Sequence, residues 1–520
     1  MKKLILYLTV TAAGLSLGSC RWLDVTPDNA IDSKDLFSTG YGFRNALNGI
    51  YVTIGDSKVY GENLSWGFLS AAAQQYLTDD SEQGQATYEA YRNASDLIYN
   101  SASTEQIVKD IWETQYSIIA NINKLLENID GIAAGEFAYG DRERELIRAE
   151  ARALRAMLHF DLLRLFAPAP AANPAGTYIP YRDEFGPSAG RNLSVDEFIE
   201  CVLEDLNAAE PVLREFDTEF HPEAMYASRM STPAPEWNAR YRFDSKNHID
   251  EMGLFFWYRG WRMNYLAVLG LKARVCLYAG PAYYPNARVA ARDLYTIFYE
   301  QRQWVGFTTA ENITCTTDKR YCKLSDDVLL AAYNKNLPDD FEARLSVSQS
   351  QIRMPLANVQ TLFASDNTGI YKDYRYEYLL AETNASNRAF YTRKYAASAY
   401  PVLEAIENPM IPLLRLSEVC YILAELSARD NRIAEGIAYL ETVRKARGAE
   451  RPLSVSVTTQ EQLLDEILLD ARKEFIAEGN LFYMYKRLNL AQVPSASAPG
   501  ALRDMSGGYV LPVPSSESPF

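Results

Sequence analysis

Apolar residues recur three or four positions apart in several stretches of this 520-residue chain, and that spacing restricts those stretches to amphipathic helices. The interval 111–129 is one example, with apolar positions at Trp112, Tyr116, Ile119, Ile122, Leu126 and Ile129. The interval 143–166 repeats the pattern and stops before Pro168, a residue that cannot continue a helix. Long helices are therefore predicted at both intervals.

The same periodicity predicts further helices along the chain. Ser194 and Glu197 form a capping-box pattern at the start of a helix that we expect to reach about residue 213. Other helices are predicted at 261–279, 286–301, 411–428, 433–448 and 459–478. Neighbouring helices form pairs about 34 to 40 residues long, the size of a tetratricopeptide-type unit. The sequence thus predicts a mostly α protein in which tetratricopeptide-like helix pairs form one superhelical scaffold.

Long segments without periodicity separate these helices, near 55–105, 214–256 and 302–410. They are rich in Tyr, Asn, Asp, Ser, Gly and Pro, and loops of this length are usually functional. Tyr outnumbers Phe by 35 to 21, which favours aromatic faces at a wet surface, because a phenol ring carries a hydroxyl that needs a partner. We expect ligand-binding insertions near 55–105 and 280–410 of a single domain, 20–520.

The N-terminus predicts an exported, lipid-anchored protein. Lys2 and Lys3 precede an apolar run, residues 4–17, that is too short to span a membrane. The run ends in Leu17-Gly18-Ser19-Cys20, which resembles the bacterial lipobox. This resemblance implies that residues 1–19 are removed as a signal peptide and that Cys20 is lipidated; an ordinary secretory signal with a free Cys20 is the alternative. Loss of the two lysines changes the net charge from −15 to −17.

Composition argues against several function classes. A net charge of −15 disfavours nucleic acid as a main partner. The three histidines, His159, His221 and His248, are too far apart in sequence to form a histidine-pair motif. The only nucleophile-type pattern, Gly14 to Gly18, lies inside the signal segment. We therefore expect no metal, no cofactor and no enzymatic activity.

The remaining cysteines predict at most one disulfide. Cys201, Cys276 and Cys420 fall on apolar stretches of predicted helices and read as small buried residues. Cys315 and Cys322 close a short polar loop, where an oxidising exterior permits a disulfide. Their spacing leaves both the paired and the free state open.

Six short motifs, in order along the chain, resemble those of the SusD/RagB family of surface glycan-binding lipoproteins of the Bacteroidetes. They lie at 22–27, 111–121, 150–166, 414–425, 472–487 and 511–514, and include the segments WLDVTP, EARALRA, LRLSEV and LPVP. Their charged residues Arg415, Glu418, Glu425, Arg472 and Glu478 are interpreted as scaffold residues that pair with neighbouring helices.

The resemblance implies a binding protein that works with a TonB-dependent, SusC-like transporter of the outer membrane. It would be lipid-anchored at the cell surface, capture an oligosaccharide and pass it to the transporter. Sugar capture uses aromatic rings that stack on pyranose faces and polar side chains that take the hydroxyls. The candidate rings in the aperiodic segments and at the predicted helix start are Tyr60, Trp66, Tyr76, Tyr88, Tyr91, Tyr283, Tyr284 and Trp304. We expect at least one early ring and one mid-chain ring to share a face.

Other functions remain open at this point. Aromatic loops fit a peptide as well as a glycan, so a peptide-binding receptor of a RagB-like uptake system is the alternative. A purely structural scaffold is a further possibility. Sequence alone does not identify the ligand, because recognition depends on loop geometry.

Overall fold

The computed structural model describes residues 33–76, 86–187, 190–227, 254–256, 258–345, 352–382, 389–496, 500–515 and 517. The predicted signal segment 1–19 and the predicted lipidation site Cys20 lie outside these residues. No helix in the described part of the chain combines the length and the apolar character needed to cross a membrane.

Most of the described chain is helical, as the periodicity predicts. The helices are α1 (Ser33–Leu36), α2 (Gly40–Ile54), α3 (Phe68–Ala72), α4 (Ala86–Ser95), α5 (Ala102–Ile129), α6 (Asp141–Phe166), α7 (Val195–Glu215), α8 (Pro222–Ala227), α9 (Tyr265–Ala279), α10 (Tyr284–Tyr295), α11 (Ala310–Thr314), α12 (Leu337–Leu345), α13 (Leu356–Phe363), α14 (Tyr374–Leu379), α15 (Pro401–Ile406), α16 (Leu416–Arg429), α17 (Ile433–Ala446), α18 (Gln460–Glu474) and α19 (Asn480–Arg487).

The long helices pack as pairs that stack on one another. The pairs are α6 with α7, α9 with α10, and α16 with α17. Further contacts of α7 with α9, α10 with α16, and α16 with α18 join the pairs into a continuous scaffold. The predicted tetratricopeptide-like helical architecture is therefore confirmed.

Capping residues set where these helices begin. The predicted capping box is present: Ser194 Oγ accepts from the Glu197 amide, and Glu197 accepts from the Ser194 amide. Ser101 caps α5 in the same way, because its side chain accepts from the Thr104 amide, so α5 starts nine residues before the predicted interval at 111. Asn264 caps α9, which begins at Tyr265 and leaves Trp261 in a preceding 3₁₀ turn.

One predicted helix is wrong over its first part. Residues Met410–Arg415 form strand β7, and helix α16 starts only at Leu416. Strand β7 pairs antiparallel with β3 (Val328–Tyr333), and Pro412 lies opposite Ala331. Proline has no amide to donate within a helix, and a short apolar run does not by itself distinguish a buried strand from a helix.

The aperiodic segments contain short strands and helices. The remaining strands are β1 (Ile179–Pro180), β2 (Asn192–Leu193), β4 (Met354–Pro355), β5 (Leu380–Glu382), β6 (Ala389–Thr392), β8 (Gln492–Pro494) and β9 (Leu502–Asp504). They form β1–β2, β4–β6–β5 and β8–β9 sheets. The β3–β7 pair is the longest, and β3 contacts both α2 and α9. It therefore joins the start of the chain to the helical scaffold.

A buried ion network lies where α18 meets the loops, and we define it as Arg375, Arg447, Asp327, Asp470 and Glu474. Arg447 Nη2 lies 2.7 Å from Glu474 Oε1 and also contacts Asp327, while Arg375 Nη2 lies 2.7 Å from Asp470 Oδ1. All five residues are buried. Burial alone would raise the pKa of Glu474, but Arg447 and Arg375 hold it well below its ordinary value.

The charged motif residues are scaffold residues, as predicted. Arg415 Nη2 lies 2.6 Å from Glu478 Oε1. Glu418 pairs with Arg274 of α9, and Glu425 pairs with Arg487 of α19. Arg472 differs from the other motif residues because its partner is not an acid: its side chain hydrogen-bonds the Tyr485 hydroxyl of α19.

Replacing Arg447 by methionine tests the network. We expect Arg447→Met to lower the free energy of unfolding by about 3–5 kcal/mol, because Asp327 and Glu474 lose a buried counter-charge. Urea denaturation followed by circular dichroism measures the change. Arg432→Met is the control, because the Arg432–Glu435 pair is exposed and such pairs contribute at most about 1 kcal/mol. Equal effects of the two variants would contradict the importance of the network.

Acid should destabilise the fold through the same carboxylates. The pKa values of Glu474 and Asp470 lie below their ordinary values of about 4 in the folded protein, so the unfolded chain takes up protons first as the pH falls. Their stabilisation is complete above about pH 5 and is lost as the pH falls through and below about 4. We expect the urea midpoint to fall over this range, and to fall less steeply for Glu474→Gln. A Glu474→Gln midpoint that tracks the parent at every pH would be inconsistent with this account.

Candidate functional site

The early candidate rings lie in the core. Trp66, Tyr76 and Tyr91 are at most 1% exposed and Tyr60 is 4% exposed, so none presents a ring face to a ligand. The Trp66 ring meets two mid-chain rings, Phe341 at 5.4 Å and Tyr395 at 6.3 Å between centroids. These two rings are not among the mid-chain candidates and meet Trp66 inside the protein, so we do not retain the four early rings in the candidate site.

Hydrogen bonds to the ring tips explain this burial. The Tyr91 hydroxyl donates to Glu62 Oε1 at 2.6 Å, and Arg344 pairs with the same carboxylate at 3.0 Å. The Tyr76 hydroxyl donates to the Trp66 carbonyl at 2.6 Å. These hydrogen bonds offset the cost of removing the phenol hydroxyls from water.

The other candidate rings have mixed positions. Tyr283 and Tyr284 are half-buried at the start of α10, and the Arg429 guanidinium lies 5.5 Å from the Tyr284 ring centroid. Within the described ranges, neither ring contacts the rings of the early group. Trp304 is half-buried and packs against the core with a backbone φ of 57°. The side chain of Tyr88 lies outside the described residues.

Cys315 and Cys322 do not form a disulfide in the structure. Both are free thiols, and Cys315 Sγ donates to the Asn312 carbonyl at 3.3 Å. Burial raises the pKa of Cys322 to about 12. The loop between them is held instead by Arg320, whose guanidinium donates to the carbonyls of Ile313 and Cys315.

Two exposed tyrosines meet on one face of the protein, and we define the aromatic platform as Tyr258 and Tyr333, backed by Trp261. Tyr258 is 39% exposed and Tyr333 is 51% exposed. Their segments touch, because the 3₁₀ turn Arg259–Trp261 contacts β3, which ends at Tyr333. Burial first, and the nearby Tyr333 hydroxyl second, raise the pKa of Tyr258 above its ordinary value.

Trp261 gives the platform its backing. Its ring stacks with that of Tyr258 at 6.2 Å and 24°, and its indole nitrogen donates to the Ser325 carbonyl at 3.2 Å. Trp261 itself is buried in a small apolar cluster with Val328, Leu403, Ile406 and Met410. Met410 of this cluster also lies opposite Tyr333 in the register of the β3–β7 pair.

Arg259 anchors the loop that carries Tyr258. Its Nε and Nη2 donate to Asp217 at 2.7 and 2.9 Å, and its Nη1 donates to Glu150 at 2.5 Å. Burial alone would lower the pKa of Arg259, but Asp217 and Glu150 raise it. Glu150 also accepts from Tyr51, whose hydroxyl accepts from the Met263 amide. The loop is therefore tied to α6, to α2 and to the turn after α7.

This anchoring offsets local backbone strain. Tyr258 has a φ of 63°, in the left-handed region that a residue with a side chain rarely adopts. Such a conformation costs on the order of 1–3 kcal/mol and persists only where the surroundings enforce it. The ion pairs of Arg259 are those surroundings.

The early loop reaches the platform through its backbone. A Cβ atom added to Gly55 would lie 1.9 Å from the Tyr333 carbonyl oxygen, so only glycine allows this approach. Asp56 follows on the early loop, and Asn334, Lys335 and Asn336 follow Tyr333. Amide, carboxylate and ammonium side chains therefore follow in sequence the two backbone segments that meet at Tyr333, and such groups suit a ligand with many hydroxyls.

Sequence reasoning missed both platform tyrosines. Tyr258 lies in the apolar run 254–258, which reads as core, and Tyr333 ends a strand that reads as buried. The signal for Tyr333 is the polar run Asn334–Asn336 directly after it, which marks a strand end at the surface. Within the described ranges, no cluster of three His, Cys, Asp or Glu residues is placed to hold a metal ion.

Comparisons with known proteins agree on one family. A model described as SusD-like, starch-binding associating with outer membrane, matches residues 21–229, and the SusD/RagB model, described as SusD family, matches 299–507. The SusD-like protein P38 of Formosa agariphila is 22% identical over 530 residues, covering 94% of this chain and 91% of that protein.

Solved structures share the fold. A SusD superfamily protein of Bacteroides thetaiotaomicron is 20% identical with a TM-score of 0.62, covering 92% of this chain and 97% of that one. A SusD-like carbohydrate binding protein of Bacteroides vulgatus is 17% identical with a TM-score of 0.63, covering 92% and 96%. With both family models matched in order and this fold shared along the chain, the protein belongs to the SusD/RagB family.

Proposed function

We propose that this protein captures an oligosaccharide at the aromatic platform. The observation that carries the proposal is a pair of exposed tyrosines, Tyr258 and Tyr333, on segments that are in contact and that a buried frame holds in place. Tyrosine rings offer an apolar face to a pyranose and a hydroxyl to its edge. Descriptions of the family model as starch-binding and of one related structure as carbohydrate binding support the same ligand class.

Capture without turnover fits this site. Members of the SusD family are nutrient-binding proteins, and we propose the same role for this chain. Stacking and hydrogen bonds from a preorganised surface supply affinity without breaking a bond. Glycan release by hydrolysis in the presence of the purified protein would contradict this role.

Alanine variants of the platform test the site. We expect Tyr258→Ala and Tyr333→Ala each to weaken binding by at least about tenfold, because an exposed central ring typically contributes more than 1.4 kcal/mol. Isothermal titration calorimetry against α-glucans, β-glucans and galacturonans measures the affinity. Tyr299→Ala is the matched control, since Tyr299 is 50% exposed but lies in the π-helical turn after α10.

The same panel includes peptide pools, because a peptide receptor is the competing function. Binding of peptides and of no glycan would replace the glycan proposal. If the Tyr258→Ala, Tyr333→Ala double variant binds glycan as tightly as the parent, the protein is a glycan-binding protein but the platform is not its binding site.

We also propose a lipid anchor at Cys20 and a SusC-like TonB-dependent transporter as partner. The lipobox-like ending Leu17-Gly18-Ser19-Cys20 supports the anchor. The family description, associating with outer membrane, supports this location. Exposure at the cell surface follows if the captured glycan is passed to a transporter in the same membrane.

Metabolic labelling tests the anchor. Palmitate label should appear in the wild-type protein and be lost in Cys20→Ser, which should also leave the membrane fraction, because stable attachment needs the acyl chains. Cys201→Ser is the control and should keep the label. Wild-type protein solubilised from that fraction should copurify with a TonB-dependent transporter. A labelled Cys20→Ser protein would refute the anchor, and copurification of none would refute the partner.

A further inference from the structure

A cavity lies on the helical scaffold, outside the segments that form the platform. It has a volume of about 600 Å³ and is bounded by α5, α6, α7 and the loop 181–185. Arg148, Arg152 and Arg155 of α6 line it, at helical spacings of four and three that place them on one face. We call this cavity the arginine cleft.

Two of the three arginines are already neutralised. Arg155 Nε and Nη2 each donate to Asp205 at 2.7 Å, and Arg155 Nη1 donates to Asn123 Oδ1 and to the Asp183 carbonyl. Arg148 pairs with Glu145 at 2.5 Å and also with Asp130. Neither guanidinium has a pair of N–H donors left to bind a carboxylate ligand.

Arg152 lies between Arg148 and Arg155 in sequence and, unlike them, is not neutralised by an acid within the described segments. It is half-buried and lines the cleft, and among the described residues it has neither an ion pair nor a side-chain hydrogen bond. A planar guanidinium in this state presents donors that match a carboxylate bidentately. The cleft therefore offers one unsatisfied cationic group.

The rim of the cleft adds a ring face and acceptors. Phe185 is 47% exposed, and Lys124 Nζ lies 4.5 Å from its ring centroid. Five exposed acids also line the cavity: Glu127 and Asp130 are paired with Lys124 and Arg148, whereas within the described ranges Asp183, Glu184 and Glu204 have no ion pair. Ionised carboxylates accept hydrogen bonds from hydroxyl groups and have no proton to donate.

We propose that the arginine cleft binds a carboxylate-bearing sugar unit, a uronate, as a site separate from the platform. Its carboxylate meets Arg152, its hydroxyls donate to the rim acids, and an apolar face of the ring covers Phe185. The rim acids repel a free anion, but they are exposed, so salt screens this repulsion more than the contact with Arg152. A neutral sugar leaves Arg152 unsatisfied and an anion without hydroxyls leaves the acids unused. The choice of a sugar as ligand rests on the proposed function.

Saturation-transfer NMR and calorimetry on the purified protein, with D-glucuronate, D-glucose and acetate as probes, test this site. We expect glucuronate to bind at least about tenfold more tightly than either of the others, since a charge-assisted bidentate contact contributes that much. Arg152→Gln should remove this preference. Arg148→Gln makes the same change of charge at a guanidinium that is already paired, and should change the affinity less than threefold.

Three outcomes would overturn the proposal: equal binding of glucuronate and glucose, equal binding of acetate and glucuronate, or an unchanged affinity in Arg152→Gln. A loss of similar size in Arg148→Gln would also overturn it, because the effect would then be one of net charge. Platform variants separate this site from the proposed function. Tyr258→Ala and Tyr333→Ala should leave glucuronate binding intact, and a failure at the cleft leaves glycan binding at the platform standing.

Discussion

Buried pairs of arginines and carboxylates hold the loops of this protein on its helices. Arg447 joins α17 to Asp327, 120 residues earlier, and Arg259 joins its loop to Glu150, 109 residues earlier. A buried charge without its partner costs several kcal/mol, so each loop has a single favourable position. A hydrophobic contact tolerates sliding, whereas a bidentate pair does not. The long aperiodic segments therefore have defined positions although they contain little regular structure.

The platform depends on this constraint. Tyr258 adopts a strained backbone conformation, and the pairs of Arg259 with Asp217 and Glu150 maintain it without a ligand. The entropy lost in ordering the rings on ligand binding is therefore small, and preorganisation of this kind improves affinity without new contacts. Glu150 belongs to one of the family-like sequence motifs, so a residue that looks like pure scaffold also positions the candidate site.

The helical scaffold could be predicted because helical periodicity is local. The capping box at Ser194 and the pattern of 143–166 set boundaries within a few residues of those in the structure. The strand at Met410–Arg415 could not be predicted, because its partner β3 lies about 80 residues earlier and pairing across that distance leaves no local signal. The same limit applied to the site. Trp66 is buried by Phe341 and Tyr395, which meet it only after folding. Tyr258 is exposed by a backbone turn that the neighbouring Arg259 holds through Glu150, a residue 109 positions earlier.

The surplus of tyrosine over phenylalanine has a cause in the core in addition to the wet aromatic surface that composition suggested. Several tyrosines are buried and donate to buried acids: Tyr60 to Asp161, Tyr91 to Glu62, and Tyr421 to Asp470. Each of these acids also accepts from an arginine, so the phenol serves as a further donor to a carboxylate that one guanidinium leaves partly unsatisfied. Phenylalanine would fill the same volume and leave an acceptor unpaired at a cost of about 1–3 kcal/mol. Buried carboxylates that one arginine leaves partly unsatisfied are therefore one reason for tyrosine in this core, whereas Tyr258 and Tyr333 are among the rings that stay exposed.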